Sequence, residues 1–311
     1  MKKSSLLIFA LSALAVKAQI TSSSFSTNAS FVTGHVPLGM DHADFDGDGK
    51  QDIVVVNYYD DDNERGTTVS VYKNQRTPGV LNGDTYAPKI DYTVEGGLQE
   101  VAAHDMDGDG RADLDVPNFM NPGSISILRN IVNPNALNEA SFAPRVNFPT
   151  TFYPNAVCIG DVDGDGKSDV VCTTNNTVTI LRNTSTIGVM NFNTAANFES
   201  GINTQNPGPT NVQLGDLDGD GKLDIVVVNL HDNTFSAYRN ISSPGAIAFE
   251  ARVNYKTAGG PDDVAISDLD GDGKSDIVVV HRNSTLLYLY KNVITSGSFT
   301  STSFASPVAL N

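Results

Sequence analysis

The residues best placed to do chemistry in this sequence are aspartates, and they come in sets. Asp44-Phe-Asp46-Gly-Asp48-Gly-Lys50-Gln-Asp52 puts four carboxylates into nine residues. The pattern D-x-D-G-D-G-[KR]-x-D returns with Asp105, Asp107, Asp109, Arg111 and Asp113, then with Asp161, Asp163, Asp165, Lys167 and Asp169. It returns again with Asp216, Asp218, Asp220, Lys222 and Asp224, and last with Asp268, Asp270, Asp272, Lys274 and Asp276. Carboxylates this close repel one another unless a cation neutralises them. Oxygen-only ligands select a hard ion, and a flexible, carboxylate-rich loop suits Ca²⁺ better than Mg²⁺, which demands tighter octahedral geometry. The expected ligands are the four aspartate side chains of each loop and the backbone carbonyl of its Lys or Arg. One Ca²⁺ is expected per repeat, five in all. The two glycines let the loop fold around the ion, because Gly reaches positive φ without steric cost.

An EF-hand begins in the same way but closes with Glu at position 12, between two helices. Position 12 here is Val55, Val116, Cys172, Val227 and Val279, all apolar and all inside strand-like runs. The loop therefore closes at position 9 and joins two strands. The charge balance agrees with bound cations. The chain carries 36 acids against 20 Lys and Arg, a formal charge of −16, and twenty of those acids sit in the loops. Five divalent ions would bring this to about −6, an ordinary surface charge. The expected role of the ions is to staple hairpins, not to catalyse.

The elements that position the loops repeat with them. The first aspartates are 61, 56, 55 and 52 residues apart. A short alternating run precedes each loop, as in Val212-Gln-Leu214 and Val264-Ala-Ile266, and a β-branched run follows it, as in Ile225 to Val228. A third run ends in a basic residue and Asn: Lys73-Asn74, Arg129-Asn130, Arg182-Asn183, Arg239-Asn240, Lys291-Asn292. A fourth opens on an aromatic residue, as in Phe142-Ala-Pro-Arg-Val146 and Phe249-Glu-Ala-Arg-Val253. Alternation, β-branching and Gly/Pro/Asn punctuation all argue for strands, with no helix in the mature chain. Four strands per 50 to 60 residues predict an all-β propeller with a loop between the first two strands of each blade. A β-sandwich array is the alternative, but each repeat has too few strands for a sandwich. The repeats run approximately over 37–92, 98–148, 154–203, 209–255 and 261–311. The fourth-strand pattern occurs a sixth time, with Phe25 placed 12 residues before Pro37 as Phe142 is before Pro154. One such strand is surplus. Either the ring has five blades and a spare N-terminal strand, or the five belong to a larger ring, which the abrupt end at Asn311 favours.

Loop spacing and flanking segments resemble the FG-GAP/VCBS repeats of integrin α-like β-propellers, over about Phe25 to Val308. The resemblance implies that the named aspartates are metal ligands and that each calcium loop joins the first two strands of its blade. It also implies seven or eight blades, so five again point to a partial ring. Repeat two departs from the pattern, because Asp115-Val-Pro117 interrupts its second strand and suggests an edge or a distorted ladder.

At the N-terminus, Lys2-Lys3, an apolar run from Leu6 to Val16 and the small-x-small site Val16-Lys17-Ala18 read as a signal peptide over 1–18, with 19–311 as the mature propeller. The start resembles bacterial export, and the expected location is secreted or at the cell surface. No other stretch approaches the length of a transmembrane helix. The acidic balance excludes a basic nucleic-acid footprint.

Cys158 and Cys172 flank the third loop symmetrically, three residues on either side. A cross-strand disulfide and two free core thiols are both compatible with that placement. The five histidines show no paired metal spacing, and no GxSxG elbow or P-loop occurs. Aromatic and amide residues cluster in two connections, Tyr58-Tyr59-Asp60-Asp61-Asp62-Asn63 and Phe152-Tyr153-Pro154-Asn155, a composition suited to stacking on sugars. Plain solvated loops are the simpler reading. The family resemblance implies a binding or adhesion module for glycans or surface proteins. The propeller domain of a polysaccharide lyase or hydrolase, or a spacer in a larger surface protein, are the alternatives.

Overall fold

The computed structural model describes residues 30–59, 66–76, 82–200, 208–295 and 297–310. The expected signal peptide, Phe25 and the Asp60–Asn63 insert lie outside the described residues. Twenty strands form five antiparallel four-stranded sheets, each ordered as its strands occur in the chain. Blade 1 holds β1 (His35–Ala43), β2 (Asp52–Tyr59), β3 (Thr68–Tyr72) and β4 (Ile90–Thr93). Blade 2 holds β5 (Ala102–His104), β6 (Asp113–Asn118), β7 (Ser124–Leu128) and β8 (Val146–Pro149). Blade 3 holds β9 (Val157–Gly160), β10 (Asp169–Thr173), β11 (Thr177–Asn183) and β12 (Phe192–Glu199). Blade 4 holds β13 (Pro209–Gly215), β14 (Asp224–Asn229), β15 (Thr234–Tyr238) and β16 (Val253–Lys256). Blade 5 holds β17 (Pro261–Ser267), β18 (Asp276–His281), β19 (Leu287–Tyr290) and β20 (Val308–Leu310). Successive first strands lie side by side around the propeller axis.

The core lies between the blades. The second strand of each blade is central, so both of its faces are covered, and in every blade but the second it carries an apolar run after the loop. Alternate residues then face opposite neighbours. Val54 and Val56 of β2 meet Leu114 and Val116 of β6 in one cluster. Ile125 and Ile127 meet Val170 and Cys172 in the next, Val171 meets Ile225 and Val227 in a third, and Val226 and Val228 meet Ile277 and Val279 in a fourth. Among the described residues no cluster joins blade 5 to blade 1.

Repeat two keeps its second strand in the centre of its sheet, pairing with β7 through Pro117↔Ile125. The distortion falls on the other side. There β5 shortens to three paired residues, and an isolated Leu98↔Asn118 bridge replaces the rest of the ladder. Asp115, where the other repeats have Val54, Val171, Val226 and Val278, is fully buried, and neither carboxylate oxygen has a hydrogen-bond partner. Burial, with the Asp113 charge adding to it, pushes its carboxyl far above the usual range.

The thiols are free. Cys158 lies opposite Val171, and Cys172 opposite Val157. This one-residue offset sends the two side chains to opposite faces of the sheet. Cys172 enters the cluster shared with blade 2, and Cys158 packs toward blade 4. Symmetry about the loop in sequence is not symmetry in register, and the cross-strand disulfide is not formed.

Candidate metal loops and the rim opposite them

All five aspartate loops join the first two strands of a blade, so they emerge on one rim together with the connections from third to fourth strands. In the first loop Gly47 has φ 71° and Gly49 φ 84°, and an added Cβ would meet nothing within 4 Å at either. Glycine is needed there for backbone conformation, not for space. The loop closes on its own carboxylates. Asp44 accepts the Asp48 and Gly49 amides at 3.0 and 2.8 Å, and Asp48 accepts the Lys50 amide at 3.0 Å. The same local bonds recur in the other loops, for example from Gly166 to Asp161 at 2.8 Å and from Lys167 to Asp165 at 3.0 Å.

The aspartate at position 9 reaches across the blade. Asp52 accepts the Phe45 amide at 3.0 Å and the Asn74 amide at 2.7 Å, tying its loop to the end of the third strand. Asp113, Asp169, Asp224 and Asp276 repeat this with Met106 and Asn130, Val162 and Asn183, Leu217 and Asn240, and Leu269 and Asn292. Burial outweighs those bonds, and neighbouring loop acids add to it. It raises the carboxyls of Asp52 and Asp169 to about 6 and those of Asp113 and Asp224 to about 7. A nearby cation lowers such values by favouring the charged form.

Side-chain oxygens of three aspartates approach within 4.8 Å of one another in every loop. They come from Asp44, Asp46 and Asp48 in the first loop and from positions 1, 3 and 9 in the others. The donor set holds oxygen only and no histidine, which fits a hard divalent cation. Buried Asp46 Oδ1 has no hydrogen-bond partner, an unmet demand that a cation would satisfy. Part of the charge is met by the basic residue ending the third strand. Lys73 pairs with Asp46, Arg182 with Asp163 and Asp165, Arg239 with Asp218 and Asp220, and Lys291 with Asp270 and Asp272. Arg129 stands 3.9 Å from both Asp107 and Asp109. The basic residues of the loops themselves divide. The side chains of Lys50 and Arg111 return to Asp48 and Asp109, whereas Lys167, Lys222 and Lys274 reach the carbonyls of Ser185, Ser242 and Ile294.

The asparagine that ends each third strand was visible in the sequence as a motif, but its work was not. Its backbone meets the position-9 aspartate, and in blades 2 to 5 its side chain reaches the preceding blade. Asn130 donates to the Phe45 carbonyl, Asn183 to Met106, Asn240 to Val162 and Asn292 to Leu217, at 2.7 to 2.8 Å. Further bonds lock the second and third loops under the next blade, from the Gly188 amide to Asp107 at 2.7 Å and from the Gly245 amide to Asp163 at 3.0 Å. Position 2 is consequently sealed: Phe45, Met106, Val162 and Leu217 are at most 2 % exposed.

The opposite rim carries the connections from second to third strands and from blade to blade. Phe152 stands there 54 % exposed. Beside it Tyr153, held at φ 55°, packs on Phe119 with ring centroids 5.2 Å apart. Positive φ is uncommon for a non-glycine residue and marks a conformation imposed by its surroundings. Asn155 bonds the Thr210 carbonyl at 3.1 Å, and Tyr58 and Tyr59 pack edge-on at 4.6 Å. The histidines take local roles: His104 meets Ser168 at 2.8 Å, and His281 meets Thr257 at 2.5 Å.

Comparison with known proteins agrees with this architecture. The chain is 24 % identical over 278 residues to cartilage acidic protein 1 of Mus musculus, covering 82 % of this chain and 41 % of that protein. It thus spans less than half the length of that relative. Among solved structures, a functionally unknown protein of Desulfotomaculum acetoxidans superposes with a TM-score of 0.58 at 16 % identity, over 89 % of this chain and 71 % of that one. An Agrocybe aegerita lectin, described as recognising non-reducing terminal N-acetylglucosamine, superposes with a TM-score of 0.53 at 20 % identity, over 89 % and 66 %. The FG-GAP-like repeat model matches residues 44–116, 161–227 and 216–279. Those segments cover more than half of the sequence and contain all five aspartate loops, and the chain belongs to the FG-GAP-like repeat family.

Proposed function

We propose that this chain is a secreted, calcium-stapled propeller that acts as a binding module, with glycans as the ligand class. In this reading Ca²⁺ holds each loop through its aspartates and the position-7 carbonyl, and the loops hold the blades. Recognition belongs to the opposite rim. The observation that carries it is exposed Phe152 beside the strained Tyr153 and the amide of Asn155, a rigid aromatic platform with hydrogen-bonding groups at its edge. The lectin of similar fold offers a first ligand to try, terminal N-acetylglucosamine. The test is a glycan array followed by calorimetry on the calcium-loaded chain and on Phe152→Ala. Binding lost in the variant at unchanged melting temperature supports the reading; binding indifferent to Phe152, or none, rejects this rim as the site.

A second reading, an enzyme acting on polysaccharides, has one observation in its favour. Glu100 packs over Gly39 near the axis, and its carboxyl is raised to about 7 by burial and then by the Asp263 and Asp41 charges. A carboxyl whose pKa is raised toward neutral is the pattern of a general acid or base. Cleavage of a polymer by the chain, abolished in Glu100→Gln, would replace the binding-module reading.

A further inference from the structure

The rim opposite the metal loops is chemically uneven. Over blades 2 and 3 it carries no charge. The segments that build it there, 116–128, 146–160 and 170–181, contain no Asp, Glu, Lys, Arg or His, in a chain with 36 acids and 20 Lys and Arg. The next blades place charge at the same level. The turn from β14 to β15 holds His231 and Asp232, and the turn from β18 to β19 holds Arg282, paired with Asp262 at 2.7 Å.

Hydroxyl and amide groups fill the neutral stretch. Thr151 donates to Thr174 at 2.6 Å, and Thr177 stands 3.3 Å from Thr151 and 2.6 Å from Thr174. The Asn175 amide donates to the Phe152 carbonyl, and the Tyr153 amide to the Met120 carbonyl, each at 2.9 Å. Exposed Phe152 is thus held between the turns of blades 2 and 3, and neither turn has a charged residue. The cations of these two blades are committed elsewhere. Arg111, Arg129 and Arg182 lie with loop aspartates, and Lys167 donates to the Ser185 carbonyl. Arg145 stands 3.8 Å from Glu95. What borders the stretch is acidic. Glu95 accepts from Ser124 and Asn147 on the side of blade 1, and exposed Glu199 pairs across strands with Thr177 on the side of blade 4.

We propose that this rim selects an uncharged glycan and turns away uronate-bearing and sulfated ones. Such selectivity presupposes the binding-module reading above and sets the charge class of its ligand. An anionic sugar set on Phe152 would lose its water without meeting a cation. It would also approach a chain of formal charge −16, with Glu95 and Glu199 flanking the place where it must land. An uncharged sugar meets neither cost. Its ring stacks on Phe152, and its hydroxyls, which both donate and accept, match threonine hydroxyls and asparagine amides that do the same.

An oligosaccharide array probed with the calcium-loaded chain and with Phe152→Ala tests this. The neutral probes are chito- and cello-oligosaccharides, and the acidic ones are oligogalacturonate, hyaluronan and carrageenan fragments. The hits that depend on Phe152 should all be neutral. Their affinity should change less than about twofold when salt is raised about tenfold, because no ion pair is there to be screened. Met120, 39 % exposed, offers a way to add the missing cation. Met120→Arg should bind acidic fragments at least about tenfold better than the wild type does. Acidic fragments bound by the wild type through Phe152 as tightly as neutral ones would overturn this inference and leave the binding module standing. Continued rejection of acidic fragments by Met120→Arg would overturn charge as the selector. No binding of any probe, or binding indifferent to Phe152, would overturn the module reading at this rim and the selectivity with it.

Discussion

The fourth and fifth aspartate loops have nearly the same sequence and quite different surroundings. Leu217 in the fourth is 2 % exposed, Leu269 in the fifth 51 %, and the side chain of Asp218 is 1 % exposed where that of Asp270 is 41 %. Blade 5 covers the fourth loop with Asn292 and Phe299. Among the described residues no blade covers the fifth. The local motif therefore makes a loop, and the neighbouring blade makes that loop a buried part of the structure.

The largest effect expected concerns metal. Removing Ca²⁺ with excess chelator should lower the melting temperature by well over 10 °C, since ligands that bind only the folded state stabilise it by mass action. During a graded chelator titration followed by calorimetry, the fifth site should empty first. Simultaneous loss of all five would break the distinction between covered and uncovered loops. Next in size, Leu217→Ala should cost about 3 kcal/mol in denaturant unfolding and Leu269→Ala less than about 0.5, because only the first leaves a cavity. Equal costs would mean that the fifth loop is covered in solution.

A change inside a covered seam can also have the opposite sign. Asp115→Val supplies the residue that the other four repeats carry and removes a buried, unpartnered carboxyl. It should stabilise by about 1–3 kcal/mol. At the chain's other end, Asn292→Ala loses its bonds to the Leu217 and Ser275 carbonyls and the Ile294 amide, whereas Asn74→Ala loses those to the Gln51 carbonyl and the Arg76 amide and, among the described residues, no bond to another blade. The first should cost about 1 kcal/mol more than the second. The smallest effect concerns pH. Glu100 keeps its proton to about 7 when folded, against a reference value of 4.5. The folded chain thus holds that proton more tightly, and stability from this group is full below about pH 4.5 and is lost as pH rises toward 7. Glu100→Gln should raise stability at pH 8 by about 1 kcal/mol, reduced by solvent screening, and should change nothing at pH 4.

Much of the molecule was legible in the residues, since blades repeat and repetition is visible without coordinates. Loop position, the central apolar second strand and the basic-Asn end of the third strand all followed from spacing. What escaped has a common cause. The cysteines looked opposed, but pairing register is set by the whole ladder and differed by one residue. Position 9 looked like one more ion ligand, yet each of these aspartates also holds two backbone amides that sequence could not bring together. Pro117 looked like an edge signal, but β6 remained central, with Leu114 and Val116 packed against blade 1 and Pro117 still paired with Ile125 of β7.

By itself the sequence determined the five loops, their oxygen-only chemistry and the four strands per repeat, all of which depend on residues within about a dozen positions of one another. Only the tertiary structure decided which loops are covered, because the covering contacts, such as Asn130 to Phe45 and Asn292 to Leu217, join residues 85 and 75 positions apart. The same is true of the outer face of blade 1, where Met40 is 61 % exposed. Phe31 and Met40 look like ordinary members of their motifs, and whether they are covered depends on the blade packed beside them.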